Sequence, residues 1–126
     1  MVKQFSVFLE NSPGRLANLM DIIEKNKITL VAMSIAEAGN YGILRMIVSD
    51  GSALEIMREA NMAVNQAEVL LIDINQFGTA VRSLSDQHLN VEYAYTMNNG
   101  RVVLKVSDYE AAIHALGASG VKIYQA

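Results

Sequence analysis

The chain has 126 residues, with no cysteine, no tryptophan, one proline and a formal charge of −3 from 10 basic and 13 acidic residues. This composition excludes a disulfide framework, a thiolate nucleophile and a cysteine-ligated metal centre, and the acidic balance offers no basic stripe for nucleic acid. Only 18% of residues are charged while 52% are hydrophobic, against roughly 25% charged in ordinary soluble domains, so part of the apolar surface is expected to face a partner chain.

Lys3 to Glu10 reads as a strand, because Phe5, Val7 and Leu9 alternate. The chain enters it directly, with no long apolar core before a cleavage site and no run of about 18 apolar residues, so the expectation is a cytoplasmic protein without a membrane span. Asn11-Ser12-Pro13-Gly14 is a cluster of turn formers that ends the strand. Leu16, Leu19, Met20 and Ile23 then share one face of a helix ending near Asn26. Ile28 to Ala38 and Ile43 to Ser49 are apolar runs around Gly39-Asn40-Tyr41-Gly42, which predicts a hairpin. Asp50-Gly51-Ser52 opens a second helix over Ala53 to Asn61, and Met62 to Gln66 reads as a closing strand. The order is β-α-β-β-α-β, a ferredoxin-like unit.

The second half repeats this order. Val69 to Ile74 is a strand, Asn75-Gln76-Phe77-Gly78 a turn and Thr79 to His88 a helix. A hairpin spans Asn90 to Met97 and Arg101 to Ser107, followed by a helix over Asp108 to Ala118 and a last strand over Val121 to Gln125. Asn11-x-x-Gly14 matches Asn75-x-x-Gly78 after 64 positions, and Gly42 with Ser49-Asp50 matches Gly100 with Ser107-Asp108 after 58. The change of offset removes about six residues from the second copy, most naturally from its first helix and its hairpin turn. The predicted units are 1–66 and 67–126, with charges of −1 and −2 and no flexible linker between them. Units of this size bury only about 60% of their extended-chain surface, so the two are expected to pack on each other.

A unit of about 60 residues whose first strand runs into Asn11-Ser12-Pro13-Gly14-Arg15-Leu16 resembles an ACT domain. The second half, with Asn75-Gln76-Phe77-Gly78, Leu89-Asn90-Val91-Glu92-Tyr93 and Asp108-Tyr109-Glu110-Ala111-Ala112, resembles another. The resemblance implies an α+β fold of two ferredoxin-like ACT-type units side by side, with antiparallel sheets and helices on one face. It also implies a regulatory module without catalysis that binds an amino acid or similar small carboxylate between paired units. In many members such units regulate an attached enzyme; none is expected here, which leaves the regulated metabolic enzyme or regulator open. A homodimer is the expected assembly, and no cofactor is implied.

The implied ligand-binding residues are Asn11, Ser12, Pro13, Gly14, Arg15 and Leu16 in the first unit and Asn75, Gln76, Phe77, Gly78 and Thr79 in the second. The family's polar residue at the start of the second strand falls on Thr29 and Asn90. A glycine between strand and helix lets backbone approach a ligand, and free N–H groups at the helix start suit a carboxylate. An asparagine both donates and accepts, so it can orient a zwitterion. The first copy keeps the proline and has Thr29, whereas the second has Phe77 in its place and Asn90, which predicts unequal sites.

Each motif also has a plainer explanation. Asn11 to Gly14 and Asn75 to Gly78 are also ordinary turns leading into helices. His88 and His114 are 26 positions apart without a third ligand at metal spacing, and Ser12, Ser34 and Ser107 lack the setting of a nucleophile. Tyr93 and Tyr95 share a strand face. The neighbouring strand lacks an RNA-binding pattern, so they are expected to pack under helices or line an interface. A structural or protein-interaction module without a small ligand is the alternative function.

Overall fold

The chain was analysed as a computed structural model that describes residues 2–10 and 12–125. The fold is α+β, in two compact units: residues 3–67, and Val2 together with the chain from Glu68 onward.

The first unit contains β1 (Val2–Glu10) from Lys3 onward, α1 (Arg15–Lys25), β2 (Leu30–Ala38), β3 (Tyr41–Val48), α2 (Ala53–Glu59) and the start of β4 (Ala63–Asp73). Its strands lie in the order β2-β3-β1-β4. Antiparallel pairing sets Val7 and Ile35 on either side of Leu44. The alternation in β1 turns Phe5, Val7 and Leu9 to the same face as Leu44 and Met46, where Leu19 and Ile23 of α1 and Met57 of α2 cover them. Each such fully buried side chain contributes roughly 1.5–3 kcal/mol.

The second unit contains the rest of β4, a 3-10 turn (Ile74–Gln76), α3 (Phe77–Asp86), β5 (Val91–Thr96), β6 (Arg101–Val106) and α4 (Tyr109–Ala118), with strand order β4-β6-β5. Leu70, Ile72, Val102, Leu104 and Val106 face Ala80 and Leu84 of α3 and Ala112 and Leu116 of α4. Asp108 starts α4 by accepting the Ala111 N–H at 3.1 Å. In both units, therefore, the helices cover one face of the strands.

Three elements differ from expectation. The closing strand at Met62 to Gln66 and the strand at Val69 to Ile74 are one strand, β4, because Ala67-Glu68 contains no turn former to separate them. The last strand is reduced to a single bridge between Leu71 and Tyr124. After Gly120, at φ +75°, that segment is held by side chains: Gln76 donates to the Gly120 carbonyl at 3.5 Å and accepts the Lys122 N–H at 3.3 Å. Of the two places expected for Tyr93 and Tyr95, under the helices or at an interface, the first does not hold. A register shift between Val91 and Tyr93 puts Val91 opposite Val106 but Tyr93 opposite Lys105, which moves both tyrosines to the far face. There they stack, with ring centroids 6.5 Å apart.

The same irregularity occurs between Leu30 and Ala32 of β2. Other features also recur after 61 positions. Lys27 and His88 both have φ +57°, and Ile28 N–H donates to Ile23 O as Leu89 N–H donates to Leu84 O. By pairing and packing, Leu9 corresponds to Ile74, Leu16 to Phe77, Leu19 to Ala80, Met33 to Ala94, Ile35 to Thr96 and Leu44 to Val102.

Candidate functional site

The passage from first strand to first helix differs between the units. In the first, Ser12 N–H turns back to the Glu10 carbonyl at 2.8 Å, and the chain enters α1 through Gly14 at φ +89°. No atom would obstruct a Cβ at Gly14, so glycine is needed there for its left-handed backbone and not for space. Arg15 pairs with Glu10 at 3.0 Å beside a cavity of about 260 Å³ that also meets Asn18 and Tyr41. Both charges are more than half exposed, so the pair orders the loop but contributes at most about 1 kcal/mol. Ser12, Pro13, Gly14, Arg15 and Leu16 are all exposed, and Asn11 lies outside the described residues.

The second passage is four residues shorter. Six residues separate Leu9 from Leu16, whereas only Asn75 and Gln76 separate Ile74 from Phe77. The expected turn over Asn75 to Gly78 is therefore a 3-10 turn ending at Gln76, and α3 starts at Phe77. Gly78 belongs to the first turn of that helix, with ordinary helical φ, and a Cβ there would meet the Arg82 guanidinium at 3.3 Å. The two Asn-x-x-Gly segments match as strings but not as structures. Among the second set, Asn75, Gly78 and Thr79 are exposed and Gln76 is engaged with the C-terminal segment.

Thr29 and Asn90 occupy equivalent places. Each backbone N–H is taken by a serine hydroxyl, Ser49 for Thr29 at 3.1 Å and Ser107 for Asn90 at 3.2 Å. Within its own unit, each stands at the opposite end of the strands from the glycine passage. Glu10 pairs with Tyr41, eight residues along β3 from Ser49, which is about 26 Å at roughly 3.3 Å per residue.

Sequence reasoning missed a groove in the second unit. Ile74, Phe77, Ala94, Tyr95, Thr96 and Val102 line a cavity of about 230 Å³ open to solvent. Ala94 and Thr96 are exposed on the edge strand β5, on its helix-side face, and Phe77 is the first residue of α3. No charged side chain lines it. The corresponding positions of the first unit carry larger side chains, Met33 at 42% exposure and Ile35 at 50%, and Leu16, which corresponds to Phe77, is 39% exposed. The signal that could have located the groove, small residues in place of large ones on the inner face of β5, is hidden by the bulge that reassigns the face.

Titration is perturbed away from the groove. Tyr124 has its phenol pKa raised, first by its hydrogen bond to Asp73 and then by burial. Tyr109 is also raised, by burial and by the nearby charges of Glu68 and Glu110. Hydrogen bonds from Ser52 lower the Asp50 carboxyl. Among the described residues no cluster of three or more His, Asp or Glu could hold a metal ion, and no helix is long and apolar enough to cross a membrane. His88 follows α3 and His114 lies exposed on α4.

A family model described as an ACT domain pair matches residues 1–116. Among solved structures, protein BT0572 from Bacteroides thetaiotaomicron is 34% identical, with 98% of this chain and 91% of that one covered at a TM-score of 0.88. The regulatory subunit of aspartate kinase from Thermus thermophilus, in its ligand-free form, has the same fold at 12% identity, with 94% and 92% covered and a TM-score of 0.63. Aspartate kinase from Clostridium acetobutylicum matches at 14% identity over 94% of this chain and 33% of that one, at a TM-score of 0.57. No curated protein matches.

Proposed function

The chain belongs to the ACT domain pair family, and from that premise we propose that it is a non-catalytic regulatory protein that binds a small ligand, an amino acid, beside the strand-to-helix passages of its units. The observation that carries the reading is the open groove next to the first turn of α3, lined by Phe77 of that turn together with Ile74, Ala94, Tyr95, Thr96 and Val102. An α-carboxylate is suited to the positive end of the helix, an interaction of about 0.3–1 kcal/mol when exposed.

Gly14, with Ser12, Pro13, Arg15 and Leu16, offers the corresponding polar loop in the first unit. Thr29 and Asn90 stand at the far ends of their own units, and they enter this reading as groups offered to a second copy of the chain. The regulated partner proposed is a metabolic enzyme in the cytoplasm, since a similar solved chain is named as a regulatory subunit of aspartate kinase.

Thermal-shift screening of the twenty amino acids, followed by calorimetry, tests the proposal. A ligand at 100 times its Kd stabilises the protein by about 2.7 kcal/mol. Absence of any binder at millimolar concentration rejects the reading for free amino acids.

One observation favours a second reading, an interaction module. Met33 and Ile35 stand exposed on one face of the edge strand β2, and Leu16 of the same unit is also exposed; exposed apolar surface of this kind is suited to another chain. A homodimer is proposed on this ground, and sedimentation showing a strict monomer at micromolar concentration rejects it.

A further inference from the structure

From the groove of the second unit we infer that the ligand is an amino acid with an uncharged, apolar side chain, and that this side chain is held against Ile74, Phe77, Ala94 and Val102. The inference rests on the amino-acid reading above and adds the ligand's chemical class and its place. A lysine or aspartate side chain in this groove would gain no charged partner, because none of the six lining side chains is charged, whereas an apolar side chain would bury part of its surface. The groove's size, about 230 Å³, is below the roughly 300–1,000 Å³ of sites for drug-sized ligands, which suits one side chain and not a nucleotide.

The internal repeat relates the groove to the matching positions of the first unit. Ala94 and Thr96 occupy the places that Met33 and Ile35 hold in the first unit, while the walls Ile74, Phe77 and Val102 correspond to Leu9, Leu16 and Leu44. The walls are apolar in both units; the floor is small only in the second. The first unit thus carries larger side chains at the places where the second has Ala94 and Thr96, and one apolar ligand is expected per chain.

Calorimetry on the full chain with leucine, isoleucine, methionine and phenylalanine, against lysine, arginine, aspartate and serine, tests this. At least one apolar amino acid is expected to bind tenfold or more tightly than every charged one, at one site per chain. Ala94→Met and Thr96→Ile copy the first unit's residues at exposed positions. Each is expected to weaken that binding at least tenfold while leaving the circular dichroism spectrum and thermal midpoint of the unliganded protein in place. Tightest binding by a charged amino acid, two apolar sites per chain, or unchanged affinity in both variants overturns the inference and leaves the amino-acid reading standing. Silence from all twenty amino acids removes both.

Discussion

The Tyr124 hydroxyl donates a 2.8 Å hydrogen bond to Oδ2 of Asp73, joining a residue near the end of the chain to one 51 positions earlier in β4. The Arg101 guanidinium lies 3.8 Å from the centre of the same ring, and the Tyr124 N–H reaches the Leu71 carbonyl at 2.8 Å. A segment with one sheet bridge is in this way anchored by a side chain at the place where a last strand was expected.

This anchor has a defined pH dependence. The hydrogen bond to Asp73 raises the Tyr124 pKa, so the folded state favours the protonated phenol. Its contribution is complete below the ordinary phenol value of about 10 and is lost as pH rises through the raised folded value. Tyr124→Phe is expected to have the lower thermal midpoint at neutral pH, and the two midpoints should converge under alkaline conditions. A difference that persists unchanged across the phenol titration contradicts this.

The two glycines should respond oppositely to alanine. Gly14→Ala places a Cβ at φ +89° and should cost about 1–2 kcal/mol. Gly78→Ala lies in a helix and should gain up to about 1 kcal/mol, because the obstructing atom belongs to the movable end of exposed Arg82. Urea denaturation of the two variants reads both signs, and equal losses would mean that the passages are equivalent after all.

Asp108→Ala removes the acceptor for the Ala111 N–H at the start of α4. The expected cost is about 1 kcal/mol, with Asp108→Asn retaining most of the stability. Chemical denaturation of the pair separates loss of the cap from loss of charge.

Leu84 is fully buried between α3 and the strands of the second unit. Leu84→Ala should destabilise by about 2–5 kcal/mol, depending on how far the cavity collapses. Truncation of exposed Ile35 should cost far less, which the same urea titrations measure.

The order of elements was legible because turn clusters such as Asn11 to Gly14 and Asp50 to Ser52 punctuate runs whose apolar period is unambiguous. The ACT assignment also stands, over residues 1–116. The equivalence of the two Asn-x-x-Gly segments was not legible. A spacing of 64 preserves a string, but hydrogen bonding shows that the helices correspond after 61 positions, so a deletion separates Gly14 from Gly78. The direction of Tyr93 and Tyr95 was hidden for a different reason. Strict alternation would set them with Val91 against the helices, and one bulged residue reverses that. The same reversal concealed Ala94 and Thr96 as the floor of the groove.

The bulge also bears on ancestry. An irregularity in the same place after Leu30 and after Val91 has little reason to arise twice independently, since such features are kept within families as inherited details of a strand. One gene duplication accounts for both, with the bulge already present before the copies separated. Later divergence then shortened one passage and left Ala94 and Thr96 where the sister copy has Met33 and Ile35.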